Sequence, residues 1–224
     1  MFFDPMYLLV VMLPGFLISG AASLAVRAAF NRYSQVMSRR GITGAQAAQI
    51  LLRHAGIDGV TIVRSHGTLS DHYNPASRQL ALSRDVHDSP SVAAVGIACH
   101  EAGHAIQHAQ RYAFLGIRTA LVPMASIGSS VGYTVMMLGL FFSKYLLLVG
   151  AALFCGVLLF QIVTLPVEFD ASARAKRLVV EAGIVDADER KGIDRVLNAA
   201  ALTYVAAVIT SLLTLVYFLM RARD

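Results

Sequence analysis

Four stretches without a single Asp, Glu, Lys or Arg constrain this chain more than any other feature. They are YLLVVMLPGFLISGAASLAV (7–26), TALVPMASIGSSVGYTVMMLGLFFS (119–143), YLLLVGAALFCGVLLFQIVTLPV (145–167) and VLNAAALTYVAAVITSLLTLVYFLM (196–220). Each supplies the ~20 apolar residues with which a helix crosses ~30 Å of hydrocarbon. A buried core helix is the alternative for any one run, but 224 residues hold too little chain to bury four. The expected fold is therefore mainly α, an integral membrane protein with about four transmembrane helices. Hydrophobic residues at 56% and charged residues at only 15% follow from those runs.

The first run reads as an anchor rather than a cleaved leader, since MFFDPM before it carries no basic residue and the run exceeds a usual leader core. Asp4 precedes it, whereas Arg27, Arg32, Arg39 and Arg40 follow it. The positive-inside rule then puts the N-terminus outside and residue 27 onward in the cytoplasm. The expected organisation is an N-terminal anchor (1–26), a cytoplasmic segment (27–118), two spans (119–167), a cytoplasmic helix (168–195) and a C-terminal span (196–224). Of 19 Lys and Arg, 15 fall in the two inside segments and Arg118 sits at a boundary, and the terminal RARD opposes this only mildly. The net charge of +5 thus reflects orientation and contact with anionic lipid; no basic stripe with interleaved aromatics suggests nucleic acid. Cys99 on a cytoplasmic helix and Cys155 in a span are not expected to form a disulfide.

Between the first two spans, TGAQAAQILLRHAG (43–56) has helical periodicity, with Thr43 as N-cap and Gly56 as stop. GVTIVRS and RQLALS alternate and are β-rich, flanking the turn-prone HGTLSDHYNPA, which predicts a small hairpin or edge strand. Ser89 and Pro90 then predict the start of a helix over SVAAVGIACHEAGHAIQHAQRY.

That last helix carries HEAGH. At 100° per residue His100 and His104 share a face one turn apart, with Glu101 adjacent. Two imidazoles so spaced chelate one zinc ion, and the glutamate is placed to take a proton from a water. A catalytic zinc takes three protein ligands, so a third is required. His108 lies ~12 Å from His100 along the axis, too far to share the ion, and reads as a supporting or interfacial residue. Position 110 is Gln110, so no third histidine follows at that spacing, and all seven histidines precede residue 109. The chain has four glutamates, of which Glu168 stands at the cytoplasmic end of the third run. Read as a helix begun by Pro166, its face carries Glu168, Ala171, Ser172 and Ala175, and small residues beside a carboxylate admit the His100–His104 helix. Asp170 points away toward Arg174 at i+4, as a surface pair. Glu168 is the third ligand on this reading.

The segments LSDHYNP, HEAGHAIQHAQRY, LVPMASIGS, LFQIVTLPVEFDASARA and VLNAAALTYVAA together resemble the YugP-type bacterial neutral zinc metallopeptidases, from about Thr43 to Val208. More distantly the chain is similar to the HtpX-like and CAAX-prenyl-protease-like membrane gluzincins. The resemblance implies a small cytoplasmic α+β zincin-like catalytic domain within 27–118, one Zn2+ per chain on His100, His104 and Glu168, and Glu101 as general base. In the distant relatives an aspartate stands four residues after the glutamate ligand. Here that place is Ser172, with an acid at Asp170 instead, so both are candidates to support the ligands.

These readings converge on a multi-pass zinc endopeptidase of the inner (plasma) membrane, its active site facing the cytoplasm and its substrate a peptide or membrane protein. The strand region around 60–82 would bind an extended peptide by strand addition. His72 and Tyr73 are candidates for stabilising an oxyanion or touching substrate, and an oligomer or partner membrane protein is left open. A non-catalytic zinc-binding membrane scaffold is the rival, but it has no use for Glu101. A membrane haem protein would want histidines within the runs, and none lies there.

Overall fold

Residues 5–67 and 70–223 are described in a computed structural model. Asp4 of the topology argument, Thr68 and Leu69 of the expected turn, and Asp224 of the RARD terminus lie outside the described residues. In chain order the elements are helices α1 (Pro5–Tyr33) and α2 (Gly44–His54), strands β1 (Thr61–Ser65), β2 (His72–Asn74) and β3 (Gln79–Ser83), and a one-turn helix α3 (Arg84–His87). Helices α4 (Val92–Ala109), α5 (Ala113–Phe142), α6 (Lys144–Glu181) and α7 (Ala187–Arg221) follow. Helices α1, α5, α6 and α7 are long and apolar enough to cross a membrane. Cys99 and Cys155 are free thiols.

The chain forms two compact units. One runs up to Ser23 and includes Ala113–Pro166 and the chain from Leu202 onward. Its core gathers Tyr7, Met136, Phe154, Tyr217 and Phe218, with the Tyr7 and Tyr133 hydroxyls hydrogen-bonded at 2.9 Å. Helices α5 and α6 touch so closely that a Cβ at Gly139 would strike the backbone of Leu147. Small residues allow this backbone contact where lipid supplies no hydrophobic push. Helix α5 begins at Ala113, six residues ahead of the expected 119, and Arg118 lies within it with its guanidinium over the Phe160 ring at 5.9 Å. An uncharged stretch marks a span by its centre. Its helical ends extend into residues whose long side chains find partners.

The other unit comprises Leu24–Tyr112 and Val167–Ala201. Helix α2 has the expected start and stop. Thr43 and Gln46 form a reciprocal capping box, and Gly56 leaves the helix with φ +68°. Of the expected hairpin or edge strand, the structure has the edge strand: β1 lies at one edge of the sheet and forms no hairpin with β3. β1 pairs with β3 in parallel (Thr61 opposite Gln79), and β2 pairs antiparallel on the other side of β3. The intervening chain is long enough to hold a third strand, and the tight reversal sits between β2 and β3. There Asn74 Oδ1 accepts from the Ala76 and Ser77 amides, and Arg78 takes φ +50°. Ser83 donates its amide and hydroxyl to Asp71, tying the start of β2 to the end of β3.

Helix α4 is capped by Ser91, whose hydroxyl accepts from the Ala94 amide, rather than by Ser89 before Pro90. The Pro90 carbonyl accepts from the Ser38 amide and Ser91 bridges Met37, so the chain stays extended for two more residues. The helix ends at Ala109, short of the expected Tyr112, because Arg111 turns to φ +53°. Pro166 does not begin a helix either: it sits inside continuous α6. A proline there removes one backbone hydrogen bond, a cost that neighbouring packing offsets in long apolar helices.

In this unit α4 and α6 meet at their backbones. A Cβ placed on Gly103 would lie 2.7 Å from the Ala171 carbonyl oxygen, inside any real contact distance. Gly103→Ala is therefore expected to lower stability by about 1–3 kcal/mol through overpacking, despite alanine's better helix propensity. Gly103→Val should do more. Denaturation of the purified protein checks this, and an unchanged or raised stability for the alanine variant would contradict the packing.

Candidate metal centre

One stripe of α4 faces α6. At 100° per residue His100, Gly103, His104 and Gln107 fall within about 100° of one another. Facing them, Val167, Glu168, Ala171, Ser172 and Ala175 occupy successive turns of α6. Where Gly103 meets Ala171 the backbones touch, and the longer side chains on either side converge.

His100 Nε2 lies 3.2 Å and His104 Nε2 3.5 Å from Glu168 Oε2, with all three donor atoms within 4.8 Å of one another. The imidazole rings stand nearly perpendicular, at 82°. Tetrahedral zinc with bonds of ~2.0–2.2 Å separates neighbouring ligand atoms by ~3.3–3.5 Å, so these nitrogen-to-carboxylate spacings suit it. Two imidazoles and one carboxylate also leave the fourth position open. Glu168 and His104 are 3% and 8% exposed, and Glu101, beside His100 on the same helix, is 9% exposed. The donor set fits zinc.

Each imidazole is held from behind. Ser172 Oγ shares a hydrogen bond with His100 Nδ1 at 3.1 Å. His104 Nδ1 donates to Gln107 Oε1 at 3.0 Å. Gln107 is fully buried and donates from Nε2 to the Val167 carbonyl and to Asp170 Oδ2, both at 2.8 Å. Asp170 pairs with Arg174 (2.5 Å), as the spacing suggested, but it also faces inward to Gln107. Arg174 further donates to Gln110 and stacks over Tyr112.

The other singled-out residues lie around the sheet. Tyr73 on β2 meets the C-terminal part of α4, its hydroxyl sharing a hydrogen bond with His108 Nδ1 at 2.9 Å. His72 points the other way on the strand and is exposed, with Nδ1 bonded to the Ser70 carbonyl. Sequence reasoning missed three residues. Gly103 and Gln107 were legible in principle from the i, i+3, i+4, i+7 stripe through the two histidines. Asp71 was not, since its partner Ser83 is a neighbour only once β2 and β3 pair. Burial pushes the Asp71 carboxyl up, and the charge of Glu101 adds to that, so this acid sits within electrostatic reach of HEAGH.

Burial alone would lower the His104 pKa, but its hydrogen bond to Glu168 and the charges of Glu101 and Glu168 outweigh it, and the net direction is upward. A cation entering the site must displace that proton.

The chain matches a protein family described as "Putative neutral zinc metallopeptidase" over residues 8–223. It is 40% identical over 200 residues to the "Putative membrane protease YugP" of Bacillus subtilis (strain 168), covering 89% of each chain. No solved structure gives a significant match.

His100→Ala, His104→Ala or Glu168→Ala should each abolish stoichiometric zinc, read by elemental analysis against one ion per chain. Zinc affinity should fall as pH drops, starting above the ordinary histidine value of 6.5. A chelator-competition titration that is flat through neutral pH would contradict the proton–metal competition.

Proposed function

The chain belongs to the neutral zinc metallopeptidase family, and from that premise we propose that it is a membrane-embedded, zinc-dependent endopeptidase working at the cytoplasmic membrane surface. The carrying observation is the convergence of His100, His104 and Glu168, with a buried glutamate, Glu101, next to His100 on the same helix. His100, His104 and Glu168 would hold the ion. Zinc bound there supplies a Lewis acid that polarises a scissile carbonyl and makes water a competent nucleophile near neutral pH.

The chain's own groups do the rest. Glu101 takes the proton of the attacking water and delivers it to the departing amine. Ser172 and Gln107 hold the imidazoles in place, so binding a substrate does not require the ligands to reorganise. The narrow three-stranded sheet offers β2 as an edge to which an extended substrate adds as a strand. His72 and Tyr73 on that strand are the proposed substrate or oxyanion contacts, Tyr73 being oriented by His108.

The membrane-surface reading rests on two features. Glu168 directly follows the last residue of an uncharged run, Val167, whose carbonyl accepts from Gln107 of the histidine helix. The histidine helix also ends at Ala109, with Arg111 at φ +53°, before α5 starts at Ala113. A single straight helix would carry His104 ~21 Å from Arg118. Such a site favours membrane-linked or unfolded chains as substrates. The charge bias of the connecting segments supports a cytoplasmic orientation.

Glu101→Gln should retain zinc and fold but lose peptide cleavage by about 10²- to 10⁴-fold. Undiminished cleavage would remove Glu101 as the base, and wild-type protein that binds zinc without cleaving any of a broad peptide set would favour the scaffold. For position, single cysteines at 112–120, in a background lacking Cys99 and Cys155, should lose reactivity to a water-soluble thiol reagent within that stretch. Free labelling throughout, with position 168 equally exposed, would place the site in a detached soluble domain.

A further inference from the structure

We infer that Gln107 is the positioning residue that commits His104 to ligation through Nε2, by the acceptor oxygen of a neutral amide. This rests on the zinc reading above. The Gln107 amide nitrogen lies against two acceptors, the Val167 carbonyl and the Asp170 carboxylate that pairs with Arg174. The NH2 group must therefore face them, which turns Oε1 toward His104. An amide oxygen only accepts, so His104 Nδ1 carries hydrogen and the Nε2 lone pair is left for a ligand. His100 has no such instruction, because the Ser172 hydroxyl that meets its Nδ1 donates or accepts equally well. The two histidines are thus unequally prepared: one is fixed by a chain of obligate donors and acceptors, the other is free to choose. Gln107 is fully buried, so no water substitutes for it.

The same residue also ties α4 to α6, and the test must separate that tie from the acceptor. Gln107→Lys keeps donors toward Val167 and Asp170 but presents no acceptor to His104. Gln107→Glu/Asp170→Asn keeps the acceptor and restores a donor opposite it, while the donor to Val167 is lost. Zinc dissociation constants by competition with a chromophoric chelator, alongside melting of the metal-free proteins, give the readout. Gln107→Leu and Gln107→Lys should each weaken zinc about 10- to 100-fold, and the double variant should return to within a few-fold of wild type. The Nδ1 proton of His104 should be resolved and slowly exchanging by NMR in zinc-loaded wild type and lost in Gln107→Lys. Wild-type affinity in the lysine variant, or a double variant as weak as leucine, overturns the acceptor role. Wild-type protein that takes up no zinc overturns instead the metallopeptidase reading on which the inference stands.

Discussion

Backbone contact between α4 and α6 at Gly103 and Ala171 sets the geometry of everything around it. Glutamate is short, and its carboxylate can meet two imidazoles from another helix only if the helix axes approach more closely than ordinary side chains permit. A hydrogen at position 103 and methyl groups at 171 and 175 provide that approach. The longer residues, His100, His104 and Gln107 on one side and Glu168 on the other, then fill the flanks of the contact. The small residues are therefore a condition of the site, and the ligands a consequence of it.

Such a cluster is expensive to bury. A carboxylate at 3% exposure forfeits most of its hydration, and only matched partners offset that loss. The arrangement meets the requirement in layers. The imidazoles face Glu168, a hydroxyl and an amide hold the imidazoles, and the Asp170–Arg174 pair at the unit's surface holds the amide. The groups next to the imidazoles are neutral, and the outer ion pair is part-exposed, where water screens it. Neutral groups beside the imidazoles confer less basicity on them than carboxylates would.

How much of this was legible depended on how local each signal is. The four spans, the capping box at Thr43, the stop at Gly56 and the histidine pair are written within one segment each, by composition or fixed spacing. Glu168 was reachable because so few carboxylates stand beside an apolar run. The parallel pairing of β1 with β3 was not, since strand alternation states which face is buried and says nothing of direction. Ser91 displaced Ser89 as cap because the chain at Met37 and Ser38 holds residues 90 and 91 extended. Pro166 misled for a related reason: its local preference for a first turn yields to a helix whose interior position is set by packing along its whole length. Gln107 reads as an ordinary polar residue until Asp170 and Val167, some sixty positions later, are brought beside it.

That separation bears on how the protein is born. The histidines leave the ribosome first, and two long apolar runs must be synthesised before Glu168 follows, an interval of roughly several seconds at ordinary elongation rates. During it, the two imidazoles of HEAGH lack the carboxylate that stands beside them in the folded unit, and the face that will meet Ala171 is bare. The three groups can come together only once both runs are made, so the order of residues along the chain delays the closing of this unit.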